Sequence, residues 1–153
     1  MKRNISYIII IYFLLVLAAC SESKTPSDVI DDKKYITELI GNIERGDTIA
    51  YNEGFSGLRY TWPTHAFLIY SLKMANKYDY PKAYYDVYFL LSQSNTGEYL
   101  TDMDNKTRDL ALYYLLKSYE KGYSYAEKEL IKVFNQDSIP LASGYFLERF
   151  VKE

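Results

Sequence analysis

The chain has 153 residues, with 18 basic and 20 acidic side chains and a formal net charge of −2. That near-balance, with no clustered basic face, argues against a nucleic-acid partner, which would need such a face to neutralise phosphates. One cysteine and one histidine are too few for a disulfide framework or a nitrogen- and sulfur-ligated metal site. Tyrosine is the outlier, with 18 residues, most of them between Tyr60 and Tyr125.

Lys2 and Arg3 open the chain, Ile8 to Leu17 is nearly all apolar, and Leu17-Ala18-Ala19-Cys20 closes the segment. A charged start, a short apolar core and small residues at a cleavage point describe a secretory signal over residues 1–19. The apolar run is shorter than the roughly 20 residues needed to span a bilayer. Leu-Ala-Ala followed directly by cysteine resembles the bacterial lipobox. The resemblance implies cleavage before Cys20, diacylglycerol on its sulfur, acylation of the new amino terminus, and hence a membrane held as partner through Cys20. It also implies a cell-envelope address facing the periplasm or the surface. Ser21 resembles outer-membrane sorting in some bacteria and favours that membrane over the inner one. Residues 20–30, including the polar Ser21–Asp28 stretch with Pro26, read as the lipidated cysteine and a flexible tether. Residues 31–153 form the domain, and with no cysteine left for bridging it must rest on its core.

From about Asp31, Ile36, Leu39, Ile40 and Ile43 follow the i, i+3, i+4, i+7 spacing of one helix face. Gly46 ends that helix as a left-handed cap, and Asp47 caps the next one through Ala50 and Tyr51. This second helix is expected to be short, because Gly54 and Gly57 interrupt it, and Phe55–Thr61 is expected as loop. Pro63 restarts a helix at a permitted first-turn position, carrying Phe67, Leu68, Ile69, Tyr70, Leu72 and Ala75. Asn76–Tyr80 turns the chain, and Pro81 opens a helix through Ala83, Val87, Leu90 and Leu91. Asn95-Thr96-Gly97 stops it. Asp104 is the N-cap of a helix running to Lys121. Gly122–Ser124 turns into a partner helix reaching Phe134. A last segment opens near Ser138 and Pro140 and carries Leu141, Tyr145, Phe146 and Phe150 over the end of the stack.

Shifting the chain by 44 residues places Leu68 on Leu112, Tyr70 on Tyr114, Leu72 on Leu116, Lys73 on Lys117 and Lys77 on Lys121. With one extra residue allowed in the earlier turn, Ala83 falls on Ala126 and Val87 on Leu130. Gly46 and Ala50 stand in the same relation as Gly122 and Ala126. A hairpin cannot bury its face alone, so such repeats stack. The expected fold is all-α: about three stacked antiparallel hairpins forming a short α-solenoid, plus a C-terminal capping helix. Leu110 to Leu130 (LALYYLLKSYEKGYSYAEKEL) resembles the Sel-one-like branch of the tetratricopeptide superfamily. There a helix ending in Ala-x-x-Gly leads into one beginning with a small residue. Here Tyr119-Glu120-Lys121-Gly122 makes that turn, with Tyr119 in place of Ala, and Ala126 keeps the small position. The resemblance implies a helical-repeat protein that binds rather than catalyses.

No catalytic constellation, cofactor motif or metal motif is expected. His65 has no companion ligands and reads as structural or surface. Asp102-Met103-Asp104 opens like a calcium loop, but Lys106, Thr107 and Tyr113 occupy places that need a ligand, Gly and Glu. Asp31 with Asp32, and Glu127 with Glu129, are spaced so that they do not face each other on a helix. Most tyrosines are expected at hairpin seams, while Tyr60, Trp62, Tyr84 and Tyr85 are the candidates for a partner-binding face, since large aromatics dominate binding hot spots. The leading expectation is therefore a non-catalytic, lipid-anchored protein-binding module with an unidentified protein partner. A sharper form is an immunity lipoprotein neutralising a toxin delivered by competing bacteria, which an adjacent toxin gene would favour. Glycan or peptidoglycan processing stands further off, because it needs carboxylates set across a cleft.

Overall fold

Each of the tight turns begins where a helix runs into a residue with positive φ. The structure, a computed structural model, describes residues 33–58, 64–92, 100, 103–135, 138–140 and 142–152. Over these the chain is all-α, with seven helices: α1 Lys33–Glu44, α2 Thr48–Leu58, α3 Thr64–Asn76, α4 Pro81–Ser92, α5 Asn105–Glu120, α6 Ser124–Phe134 and α7 Gly144–Lys152. Gly46 (φ 89°) and Gly122 (φ 83°) take the left-handed conformation that glycine adopts without a Cβ penalty. Both close the same cap. Gly46 N donates to Ile43 O and Asp47 N to Asn42 O, as Gly122 N does to Tyr119 O and Tyr123 N to Ser118 O. The middle hairpin turns through Asp79 (φ 53°), and its connection is four residues long where the other two are three. That extra residue is the one the sequence repeat needs to stay in phase.

The second helix of every hairpin starts with the same device. Ala50, Ala83 and Ala126 are each the third residue of α2, α4 and α6, and all three are buried. One turn on, Gly54, Val87 and Leu130 are buried as well. At Gly54 the expectation of an interrupted helix fails: α2 continues to Leu58, so Phe55–Leu58 is helix rather than loop. A Cβ at Gly54 would lie 3.0 Å from Ile43 Cδ1 and 3.2 Å from Phe67 Cζ. The glycine is there for the close approach of α1 and α3, which local propensity does not register. The predicted caps form: Asp47 Oδ1 accepts from Ile49 N at 2.8 Å and Ala50 N at 3.1 Å, and Asp104 Oδ1 accepts from Thr107 N at 2.9 Å.

The hairpins α1/α2, α3/α4 and α5/α6 stack in chain order, with α4 packed between α3 and α5, and α7 closing on α5. α7 opens at Gly144, later than the sequence suggests, and lays Phe146 against Phe134 of α6. Two polar systems fix the stack. In the core, the Tyr51 hydroxyl of α2 lies 2.9 Å from Ser71 Oγ of α3 and donates to Asp86 Oδ2 of α4 at 2.8 Å. Lys82 Nζ pairs with the same carboxylate oxygen at 2.6 Å. Along the turns, each hairpin holds the next. Tyr78 donates to Glu44 O at 2.7 Å and Lys73 pairs with the Glu44 carboxylate at 3.2 Å. Lys121 reaches Asp79 at 2.5 Å. The Glu120 carboxylate accepts from Ser143 N at 2.7 Å and Ser143 Oγ at 3.0 Å, at the start of α7. Arg149 of α7 meets the buried Asp109 at 3.1 Å. No described helix is long and apolar enough to cross a membrane.

Candidate functional site

Tyrosines sort by the direction their helix gives them. Tyr51, Tyr84, Tyr88 and Tyr114 are buried at seams between hairpins, while the other described tyrosines keep part of their surface exposed. Tyr84 is a sequence candidate for the binding face, and the structure corrects that placement: it is 6% exposed. Its hydroxyl donates to Asp79 Oδ1 at 3.0 Å and its ring lies 6.1 Å from Tyr114. It joins the second hairpin to the third. Tyr60, Trp62 and Cys20 lie outside the described residues.

Tyr85, one residue further along α4, points away from that seam and is half-buried. Its ring sits 5.5 Å from Tyr123 and 6.0 Å from Tyr88, and Tyr123 in turn lies 5.6 Å from Tyr125. Tyr123 is the N-cap residue of α6 in extended conformation, and its side chain makes no cap hydrogen bond. The ring is thus left to lie across α4. Tyr125 precedes the buried Ala126, so the helix that turns the alanine inward turns the tyrosine out, to 60% exposure. Three rings in contact therefore cross from the second hairpin to the third on the side formed by α4 and α6.

Charges of both signs flank the strip. Lys128 Nζ stands 5.5 Å over the Tyr125 ring. Glu129 takes a long 3.4 Å hydrogen bond from Tyr88 and pairs with Lys132 at 2.7 Å. Burial, followed by the charge of Asp86 and neighbouring tyrosines, pushes the Tyr123 phenol up to about 12. Burial and the Glu129 carboxylate raise Tyr85 and Tyr88 as well. Around neutral pH these hydroxyls hold their protons, as tyrosines ordinarily do. Of the sequence candidates, only Tyr85 belongs to the strip among the described residues. Sequence reasoning passes over Tyr123 and Tyr125, although the repeat, placing both at the opening of the third hairpin's second helix, carries the signal.

Concavities among the described residues lie elsewhere. One of about 570 Å³ is framed by Phe134, Pro140, Tyr145, Phe146 and Arg149 beside α7. Another, about 320 Å³, lies between α1 and α2 and carries Glu38, Asp47 and Glu53. Among the described residues, no three His, Cys, Asp or Glu side chains gather where a metal ion could be held. No family model matches the chain, and neither a curated protein nor a solved structure matches it.

Proposed function

We propose that this chain is a non-catalytic protein-binding module, tethered to the bacterial cell envelope through a lipidated Cys20, that holds a protein partner on its tyrosine strip. The observation that carries the reading is the contact series Tyr85–Tyr123–Tyr125, with its outermost ring 60% exposed. Exposed aromatics of this kind bring large apolar area with few rotatable bonds to freeze, which is why tyrosine is enriched at interface hot spots. The signal over residues 1–19 supports the address, since the thioether can form only at the single cysteine.

The test has two arms on the full-length protein expressed in a bacterial host. Cys20→Ser should abolish lipid labelling and shift the protein out of the detergent-soluble membrane fraction, and unchanged labelling would refute the anchor. Tyr125→Ala, which alters an exposed ring, should reduce crosslinking to the partner about tenfold or more while circular dichroism stays that of the parent. Equal crosslinking would remove the strip from the binding face.

A further inference from the structure

We propose that the concavity beside α7 is a ligand site for a free apolar monocarboxylate, an acid with one carboxylate head on a hydrocarbon or aromatic body. The inference goes beyond the binding-module reading and uses none of the strip's residues.

The walls are apolar and come from two helices and the segment between them. Phe134 ends α6, Phe146 lies in the first turn of α7, and their rings are 5.8 Å apart. Tyr145 stands edge-on to Phe146 at 5.0 Å, and Pro140 adds to a lining that encloses about 570 Å³. Volumes of roughly 300–1,000 Å³, with mostly apolar walls and a few polar groups, characterise small-molecule sites. The backbone offers little here. Pro140 has no N–H, and the amides of Tyr145 and Phe146 already donate to Ala142 O and Ser143 O. The Ser138 hydroxyl is committed to Phe134 O. A peptide's amide groups would go unpaired against such walls, at a cost in free energy. A hydrocarbon body has none to pair.

Among the described residues, one charged group lines the cavity, Arg149. Its Nε lies 3.1 Å from Oδ2 of Asp109, whose side chain is 1% exposed, and its guanidinium stands 5.7 Å over the Tyr145 ring. Neither terminal nitrogen of Arg149 has a partner among the described residues. The buried Asp109 is itself costly: neither of its oxygens has a hydrogen-bond partner among those residues, and a buried ion pair seldom stabilises more than apolar side chains of the same volume. Stability is therefore a weak reason for the pair. Positioning is a better one, because holding Nε fixes the guanidinium at the cavity and leaves the two terminal nitrogens for a second carboxylate. That planar fork matches the two oxygens of a carboxylate. Since Asp109 already offsets the charge of Arg149, a monoanion suits the site better than a phosphate dianion.

The experiment titrates hydrocinnamate into the full chain purified in a mild detergent, followed by calorimetry and by aromatic ring signals in nuclear magnetic resonance. Hydrocinnamamide keeps the body without the charge, and acetate keeps the head without the body; partition into detergent is shared by the amide. The expected result is saturable hydrocinnamate binding with Kd below about 1 mM, and each control weaker by about tenfold or more. Arg149→Gln should weaken hydrocinnamate about tenfold or more, and Arg149→Lys, which keeps the charge without the fork, a few-fold. The probe series is read on the parent chain, so it decides the proposal even where an Arg149 variant fails to fold. The proposal is overturned if hydrocinnamate does not saturate, if the amide or acetate binds as tightly, or if a folded Arg149→Gln chain binds unchanged. Tighter binding of phenyl phosphate would overturn the monocarboxylate class, and tighter binding of a peptide ending in phenylalanine would overturn the free acid in favour of a chain terminus. Tyr125→Ala should leave the affinity for hydrocinnamate unchanged, and a loss there would move the ligand to the tyrosine strip and overturn the site. Partner crosslinking through the strip stands or falls separately.

Discussion

Replacing Tyr51 by Phe removes one oxygen from the centre of the core and nothing else. Tyr51 is fully buried, and its ring contacts with Phe55, Phe67 and Tyr80 (centroids 6.1, 5.7 and 5.8 Å) survive in phenylalanine. What is lost is the 2.8 Å hydrogen bond to Asp86, whose side chain is 3% exposed, together with the 2.9 Å contact to Ser71 Oγ, which keeps its own bond to Phe67 O. A hydrogen bond to a charged group contributes a net of about 1.5–3 kcal/mol. Lys82 remains at 2.6 Å, so the carboxylate is not orphaned, and the lower half of that range applies: about 2 kcal/mol. Asp86→Ala takes the carboxylate from Lys82 and leaves the Tyr51 hydroxyl with Ser71 Oγ alone, and breaking a buried pair typically destabilises by about 3–5 kcal/mol. Lys82 keeps 24% side-chain exposure and can turn toward water, which sets the expectation at about 3 kcal/mol. Urea denaturation followed by circular dichroism measures both values. A Tyr51→Phe shift below about 0.5 kcal/mol, well under the net hydrogen-bond range, would refute the claim that this bond couples the first hairpin to the second. So would an Asp86→Ala variant no less stable than Tyr51→Phe.

The two glycine turns should respond unequally to alanine. Both variants carry the left-handed strain of about 1–2 kcal/mol, but a Cβ at Gly46 would also lie 2.6 Å from the Tyr78 ring while nothing stands within 4 Å of one at Gly122. Gly46→Ala should therefore have the lower urea midpoint, and equal midpoints would show that the Tyr78 ring does not pack against the turn in solution. In alkali, burial raises Tyr51, Tyr84 and Tyr88 and pushes Tyr35 and Tyr123 up to about 12, while an unfolded tyrosine titrates near the ordinary value of 10.0. Because the folded pKa values are raised, their contribution is fully present below about pH 10 and lost as pH climbs toward 12 and beyond. Urea midpoints with parallel tyrosinate absorbance should fall in that window, and a flat profile through it would count against the buried phenols.

How far the sequence can be read depends on the range of the forces involved. Gly46, Gly122, Asp47 and Asp104 announce themselves because a cap is decided within four or five residues. The alanines at 50, 83 and 126 are legible through the repeat, since a recurring small residue implies a recurring close approach. Gly54 misleads because its reason is tertiary: Ile43 and Phe67 approach from other helices. Tyr84 and Tyr85 cannot be separated by type or by sequence position. Adjacent residues on a helix differ by about 100° in direction, and only the placement of the third hairpin decides that one faces Tyr114 and the other Tyr123.

The strip is held in place by the same contacts that make the stack. Tyr85 sits between Tyr84, itself buried and tied to Asp79 of the turn, and the buried Asp86, tied to Tyr51 and Lys82, so the chain on both sides of it is anchored by buried side chains. Tyr123 is held from below by Ser118. Ser118 O accepts the Tyr123 amide at 3.1 Å, and Ser118 Oγ donates to Pro81 O, the first residue of α4, at 2.8 Å. One buried serine thus links the turn that carries Tyr123 to the helix that carries Tyr85. The separation of the two rings follows from core geometry rather than from their own weak contact. A surface whose spacing is set in this way needs little ordering when a ligand arrives, and the entropy of ordering is a main cost of association. The seams between hairpins and the spacing of the exposed rings across them are, in this chain, two results of one arrangement of tyrosines.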